Sequence, residues 1–175
     1  LQSCSGSGYD GVNQLIQEQN NKEVTSQCYK HQIYENVIPK IGSINITGIT
    51  TEEEKLIYET KKILMDNTIK ISAMCIRVPI KFCHSLSIKI KLGKQTTVKD
   101  IINELETQSG LTLSNDKNEI YTPLNVKDKY DVFISRIRKD NTNPKAINIW
   151  VVSDNLLKGA ALNTVQIAEC LMKKL

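Results

Sequence analysis

Between Leu86 and Leu92 apolar and polar residues alternate without a break, Leu86, Ile88, Ile90 and Leu92 against Ser87, Lys89 and Lys91. A period of two puts the two sets on opposite faces of an extended chain, so the stretch predicts a strand with one wet face. Helical spacing follows at once. Val98, Ile101, Ile102 and Leu105 stand at i, i+3, i+4 and i+7, which predicts an amphipathic helix ending by Gly110. Two further strands are expected at Val132–Arg138 and Ala146–Ser153, and another over Ile69–Ile80, where β-branched residues concentrate. Strands and helices mix without strict βαβ alternation. Short strand-to-strand connections favour antiparallel pairing, and the expected class is α+β, a mixed and largely antiparallel sheet with helices packed on one face.

Other helices have their own signals. Val12, Leu15 and Ile16 predict a short helix after Ser7, followed by a polar loop from Gln17 to Gln32. Thr50-Thr51 followed by Glu52, Glu53 and Glu54 offers an N-cap with capping-box carboxylates, and Leu56, Ile57, Ile63 and Leu64 are expected to form that helix's buried stripe. The last element, from about Asn155 to Leu171, has so wide an apolar face that it predicts a largely buried helix.

Composition narrows the function classes. At 175 residues, with 40% hydrophobic and 24% charged residues, the chain has the make-up of a globular protein and not of a disordered one. No apolar run is long enough for a membrane span, and no basic-then-apolar signal pattern opens the chain. A net charge of +4, with lysines spread along the chain and 5% aromatics, gives no nucleic-acid footprint. The expected location is therefore cytoplasmic, with neither membrane nor nucleic acid as partner. Cys4, Cys28, Cys75, Cys83 and Cys170 form no C-x-x-C pair, and no metal site is expected.

Gly6-Ser7-Gly8-Tyr9-Asp10-Gly11 fits G-x-G-x-x-G letter for letter, but no hydrophobic strand feeds it and no acidic residue closes a second strand downstream. It reads as a glycine-rich lead-in to a helix. Arg77, inside Ile76-Arg77-Val78-Pro79, is costly to bury unless an anion meets its fork of donors; an edge arginine reaching solvent is the alternative. His84 taken alone reads as a surface or structural histidine. Cys83 and His84 are neighbours on an extended chain and point to opposite faces, so they form no dyad. Glu52 and Lys55 share the first turn of their helix, where solvated residues are the default.

Taken together, these blocks are no longer anonymous. Gln2 with Ser5-Gly6-Ser7-Gly8, Asn36-Val37-Ile38-Pro39-Lys40-Ile41-Gly42, Glu52-Glu53-Glu54-Lys55, Arg77-Val78-Pro79 with His84-Ser85, Arg136-Ile137-Arg138-Lys139-Asp140, and the run from Trp150 to Ala161 occur in that order. In order and spacing the sequence resembles the C-terminal catalytic and dimerisation half of bacterial-type aspartate-semialdehyde dehydrogenase. The resemblance implies a small-molecule substrate, NADP as cofactor, and reductive dephosphorylation of L-aspartyl 4-phosphate on the path to lysine, threonine and methionine. It implies His84 as general acid/base, Gln2 as a residue orienting the reacting group, Arg77 as the clamp on the substrate carboxylate, Glu52 as a contact to the substrate amino group and Lys55 as a phosphate contact. Ser5 and Gly6 become cofactor contacts, with most of the cofactor held by an N-terminal nucleotide-binding domain.

That domain and the cysteine nucleophile would precede Leu1, so residues 1–175 are expected to form one catalytic and dimerisation domain that is inactive alone. Helix 155–172 is expected to touch the nucleotide-binding domain. Arg77 and His84 are expected on one wall of a cleft. A homodimer is expected through a sheet face carrying Ile134, Ile147, Ile149 and Trp150. The rival readings are an N-acetyl-glutamyl-phosphate reductase-like enzyme and a non-catalytic dimerisation module.

Overall fold

A computed structural model describes residues 1–114 and 116–173, and the chain divides into two units, Leu1–Lys81 and the residues from Phe82 onward. In the first unit a 3₁₀ turn, Cys4–Ser7, leads into helix α1, Gly8–Gln19. The glycines of the G-x-G-x-x-G stretch have local causes: Gly8 takes φ +72°, and a Cβ at Gly11 would come 2.7 Å from the Cys4 carbonyl oxygen. The polar loop after α1 is pinned by two α1 side chains. Gln14 Oε1 accepts the backbone N–H groups of Cys28 (2.9 Å) and Tyr29 (2.7 Å), and Glu18 Oε2 accepts those of Ile33 and Tyr34, both at 2.8 Å. A small core of Cys4, Leu15 and Ile33 closes beneath them.

Helix α2, Thr51–Ile63, starts on the predicted capping box. Thr50 Oγ1 accepts the Glu53 N–H, and Glu53 Oε2 accepts the Thr50 N–H. The predicted buried stripe is not there: Glu53 is the buried residue of α2, Leu56 and Ile57 are half-buried, and Ile63 and Leu64 are exposed. Within its unit the helix is anchored by hydrogen bonds at its start and not by an apolar stripe. Nor do residues 69–80 form a strand. Backbone from other segments meets them at Ile76–Ile80, where Arg77 bridges in parallel to Gln2 and antiparallel to Ile38 and the Cys4 N–H donates to the Ile80 carbonyl. A strand needs a partner along its length, and β-rich composition does not supply one.

The second unit contains β1 (His84–Lys91), α3 (Val98–Glu106), β2 (Leu111–Leu113), α4 (Pro123–Val126), β3 (Val132–Lys139), β4 (Ala146–Ser153) and α5 (Leu162–Met172). The sheet order is β1-β4-β3-β2, with β1-β4 and β4-β3 antiparallel and β3-β2 parallel. This is the expected mixed, largely antiparallel sheet with its helices, and the fold is α+β. The short strand β2 and helix α4 carry no strong period and have no counterpart among the elements expected from sequence.

Register assigns the two faces. Leu86, Ile88 and Ile90 lie opposite Val151, Ile149 and Ile147, and Ile134 also pairs with Val151. Trp150 and Val152 point to the other face with Phe133, where Cys83 and Val126 complete a core and the Trp150 indole donates to the Tyr121 carbonyl at 2.8 Å. The expected single apolar face joining Ile134, Ile147, Ile149 and Trp150 is therefore corrected, because residues 149 and 150 alternate. Ile134 and Ile147 are already buried within the chain, while Leu86 is exposed. A π-helical turn, Leu157–Ala161, precedes α5, which has no buried residue; Val165, Ile167, Leu171 and Met172 are exposed, against the expectation of a buried helix. No helix among the described residues is long and apolar enough to cross a membrane.

Candidate active site

Four of the residues singled out by sequence meet in the first unit. Arg77 sits in the middle of three backbone segments: its N–H and C=O pair with Ile38, both at 2.9 Å, while Gln2 bonds to Ile76 and Val78 on the other side. Gln2 then reaches α2, its Nε2 donating to Glu52 Oε1 at 2.8 Å, and Lys55 Nζ donates to Glu52 Oε2 at 3.2 Å. Burial would raise the Glu52 pKa, but the hydrogen bonds from Gln2 and Lys55 and the charges of Lys55 and Arg77 outweigh it and hold the carboxyl below its usual value. Each carboxylate oxygen keeps a lone pair for a further donor. The Lys55 side chain is 58% exposed, so its ion pair is worth about 0–1 kcal/mol and is easily exchanged for another anion.

Arg77 is the unusual member. It is only 4% exposed, yet among the described residues its side chain makes a single hydrogen bond, from Nη1 to the Ser3 carbonyl oxygen at 2.6 Å, and no ion pair. The Tyr29 ring lies 5.8 Å from the guanidinium carbon. Arg77 lines a cavity of about 380 Å³ together with Ser7, Tyr29, Lys30, His31 and Lys40, and no carboxylate lines it. A buried guanidinium with spare donors, in a cavity also lined by Lys30 and Lys40, can receive an oxyanion. Lys30, His31 and Lys40 were missed by sequence reasoning because no motif contains them; only the loop pinned by Gln14 and Glu18 brings the first two beside Lys40.

Ser5 and Gly6 do not form a phosphate cradle. The Ser5 N–H donates to the Lys81 carbonyl at 2.9 Å and the Gly6 N–H to the Ser3 carbonyl at 3.1 Å, so neither is left for a phosphate oxygen. The loop does leave open space over Gly8.

His84 begins β1 in the second unit, half-buried and opposite Ser153 in the register. Cys83 beside it is buried, and burial first, and then the Asp154 and Asp128 charges, push its thiol up to about 11, against the thiolate form. Burial also raises the thiols of Cys4 and Cys75, while Cys28 and Cys170 are exposed.

Comparison with known proteins decides the family. Residues 1–158 match the family described as semialdehyde dehydrogenase, dimerisation domain. The chain belongs to that family. It is 41% identical to the aspartate-semialdehyde dehydrogenase of Bacillus subtilis, over 98% of this chain and 54% of that protein, and 39% identical to that of Rickettsia bellii, over 98% and 52%. Among solved structures, aspartate-semialdehyde dehydrogenase II from Vibrio cholerae, complexed with ASA, is 32% identical with a TM-score of 0.91, covering 98% of this chain and 52% of that one. The chain thus spans about half the length of the relatives it matches. Its semialdehyde dehydrogenase fold is the mixed sheet with helices described above.

Proposed function

We propose that the chain is the substrate-binding and proton-transferring portion of an NADP-dependent aspartate-semialdehyde dehydrogenase, which reductively dephosphorylates L-aspartyl 4-phosphate to L-aspartate 4-semialdehyde in lysine, threonine and methionine biosynthesis. The observation that carries this reading is the buried Arg77 with its single hydrogen bond in a cavity without carboxylates. A substrate carboxylate supplies the missing counter-charge in bidentate form. Family membership and the identities to named enzymes support the same chemistry.

The roles are those the family resemblance implies, and the chemistry of the side chains suits them. Arg77 clamps the carboxylate, and Glu52, held ionised, takes the substrate ammonium on its remaining lone pairs. Lys55, weakly tied to Glu52, swings to the phosphate, and Gln2, fixed by its bond to Glu52, orients the reacting group. His84, an imidazole whose ring nitrogens can both donate and accept a proton, gives and takes the proton. NADP, when bound, accepts or returns the hydride. Its phosphates and the cysteine nucleophile are assigned to the part of the relatives that this chain does not span, and α5 is assigned to a contact with that part.

The test is an assay of the full-length protein with aspartate semialdehyde, phosphate and NADP. Turnover is expected, with His84→Ala lowering kcat by about 10²–10⁴. Turnover with N-acetyl-glutamate semialdehyde in place of aspartate semialdehyde would assign the chain to the rival reductase, and no turnover with either would leave the dimerisation-module reading.

A further inference from the structure

His84 owes its place to an unusual neighbour. Cys83 adopts φ +70°, a left-handed conformation that any side chain disfavours and glycine accepts. Two contacts hold it there. Its side chain is 1% exposed in the core with Val126, Phe133 and Val152, and its N–H donates to Asn155 Oδ1 at 3.1 Å. Asn155 is itself presented by a locked turn. Asp154, 3% exposed, accepts the Leu156 N–H on Oδ1 at 2.9 Å and the Asp128 N–H on Oδ2 at 3.0 Å, while its carbonyl accepts the N–H of Lys158 at 2.9 Å. Because His84 lies opposite Ser153, the end of β4 reaches back to the residue just before the start of β1.

We propose that Asn155 is a positioning residue for His84: by holding the Cys83 N–H it keeps Cys83 left-handed and so fixes the direction in which the following imidazole leaves the backbone. This rests on the reading of His84 as the proton carrier. A small error in the placement of such a group costs up to about a hundredfold in rate, and the left-handed residue is where the error would arise. The strain at Cys83 makes the inference testable, since glycine needs no restraint to stay at that φ whereas alanine does.

The experiment is steady-state kinetics of the full-length protein with aspartate semialdehyde, phosphate and NADP. Asn155→Ala is expected to lower kcat by about 10- to 100-fold with KM within about twofold. Asn155→Asp, which keeps the acceptor, recovers most of the loss. Adding Cys83→Gly to Asn155→Ala recovers at least about tenfold, whereas adding Cys83→Ala does not, although both remove the buried sulfur. Asn155→Ala with kcat within threefold of the parent, or equal effects of the Gly and Ala partners, overturns the proposal. If Asn155→Ala yields no folded protein, Asn155→Ser, whose hydroxyl is too short to reach, replaces it and is read by the same rule. His84→Ala run in parallel separates the two failures: kcat unchanged in His84→Ala removes the proton-carrier reading, while a loss in His84→Ala with none in Asn155→Ala removes only the positioning role.

Discussion

Gln2 and Glu52 are 50 positions apart, and the Gln2 amide donates a 2.8 Å hydrogen bond to the Glu52 carboxylate. The bond ties the chain segment beside Arg77 to the first turn of α2 and helps hold Glu52 ionised. If Glu52 receives the substrate ammonium, then Glu52→Gln raises KM for aspartate semialdehyde by about tenfold, the loss expected for a charge-assisted hydrogen bond. Because the folded Glu52 pKa lies below the ordinary carboxylate value, this carboxylate introduces no change in KM between pH 5.5 and 8. A KM that stays within about twofold of the parent's in Glu52→Gln would contradict the assignment, and a parent KM that rises steeply as pH falls through 6, and no longer does so in Glu52→Gln, would contradict the lowered pKa.

Arg77→Lys is expected to raise KM by about 10- to 100-fold while changing kcat by less, since an ammonium keeps the charge and loses the fork. The same variant keeps one donor for the Ser3 carbonyl, so the thermal midpoint should fall by only a few degrees. Equal losses in KM and Tm for Arg77→Lys and Arg77→Ala would point to a structural arginine instead. A substrate-binding change confined to KM separates the two.

Local patterns carry much of this arrangement in the amino-acid sequence itself. Strict alternation at Leu86–Leu92 marks a strand because a period of two has no other regular home, and Thr50 with Glu53 marks the start of α2 because both capping partners are local. What sequence patterns miss is long-range. Ile69–Ile80 has the residues of a strand but neighbouring backbone only at its Arg77 end, and α5 has the stripe of a buried helix but no buried residue. Ile149 and Trp150 are both apolar, and only the register of β4 against its neighbours separates their faces. The cavity lined by Lys30 and Lys40 is hidden for a related reason: Lys30 and His31 come beside Lys40 because Gln14 and Glu18 accept hydrogen bonds from backbone N–H groups 14–16 residues away, a pattern with no sequence period.

The family description names a dimerisation domain, and the exposed part of the sheet gives the expectation a location. Leu86, on the same face as half-buried Ile88, Ile90 and Ile149, is expected to be covered by a second copy. Sedimentation equilibrium of the full-length protein should give a dimer, and Leu86→Asp should raise its dissociation constant by about 10²- to 10⁴-fold, since each of the two copies loses the burial of one leucine at about 1.5–3 kcal/mol. A monomeric parent at high micromolar concentration removes the dimer. An unchanged dissociation constant moves the contact away from this face.

Glu53 makes the last prediction, one of stability rather than activity. It is 7% exposed, and its two oxygens accept the N–H groups of Thr50 and Cys75, both at 2.8 Å, joining the start of α2 to the extended segment that leads to Arg77. The Thr50 and then the Cys75 backbone hydrogen bonds lower its pKa, with burial working against them. A carboxyl whose pKa is lower in the folded than in the unfolded state stabilises the fold fully above its unfolded value, near 4.3, and loses that contribution as pH falls through the folded value. Glu53→Gln keeps one acceptor and turns an NH₂ toward the other N–H, so it should cost about 1–3 kcal/mol near pH 7. The cost should shrink as the parent is titrated below pH 4, because the protonated glutamic acid has the same defect as the amide. Urea unfolding of both proteins between pH 3 and 7 checks this, and a gap that stays constant across the range would show that Glu53 does not act through its charge.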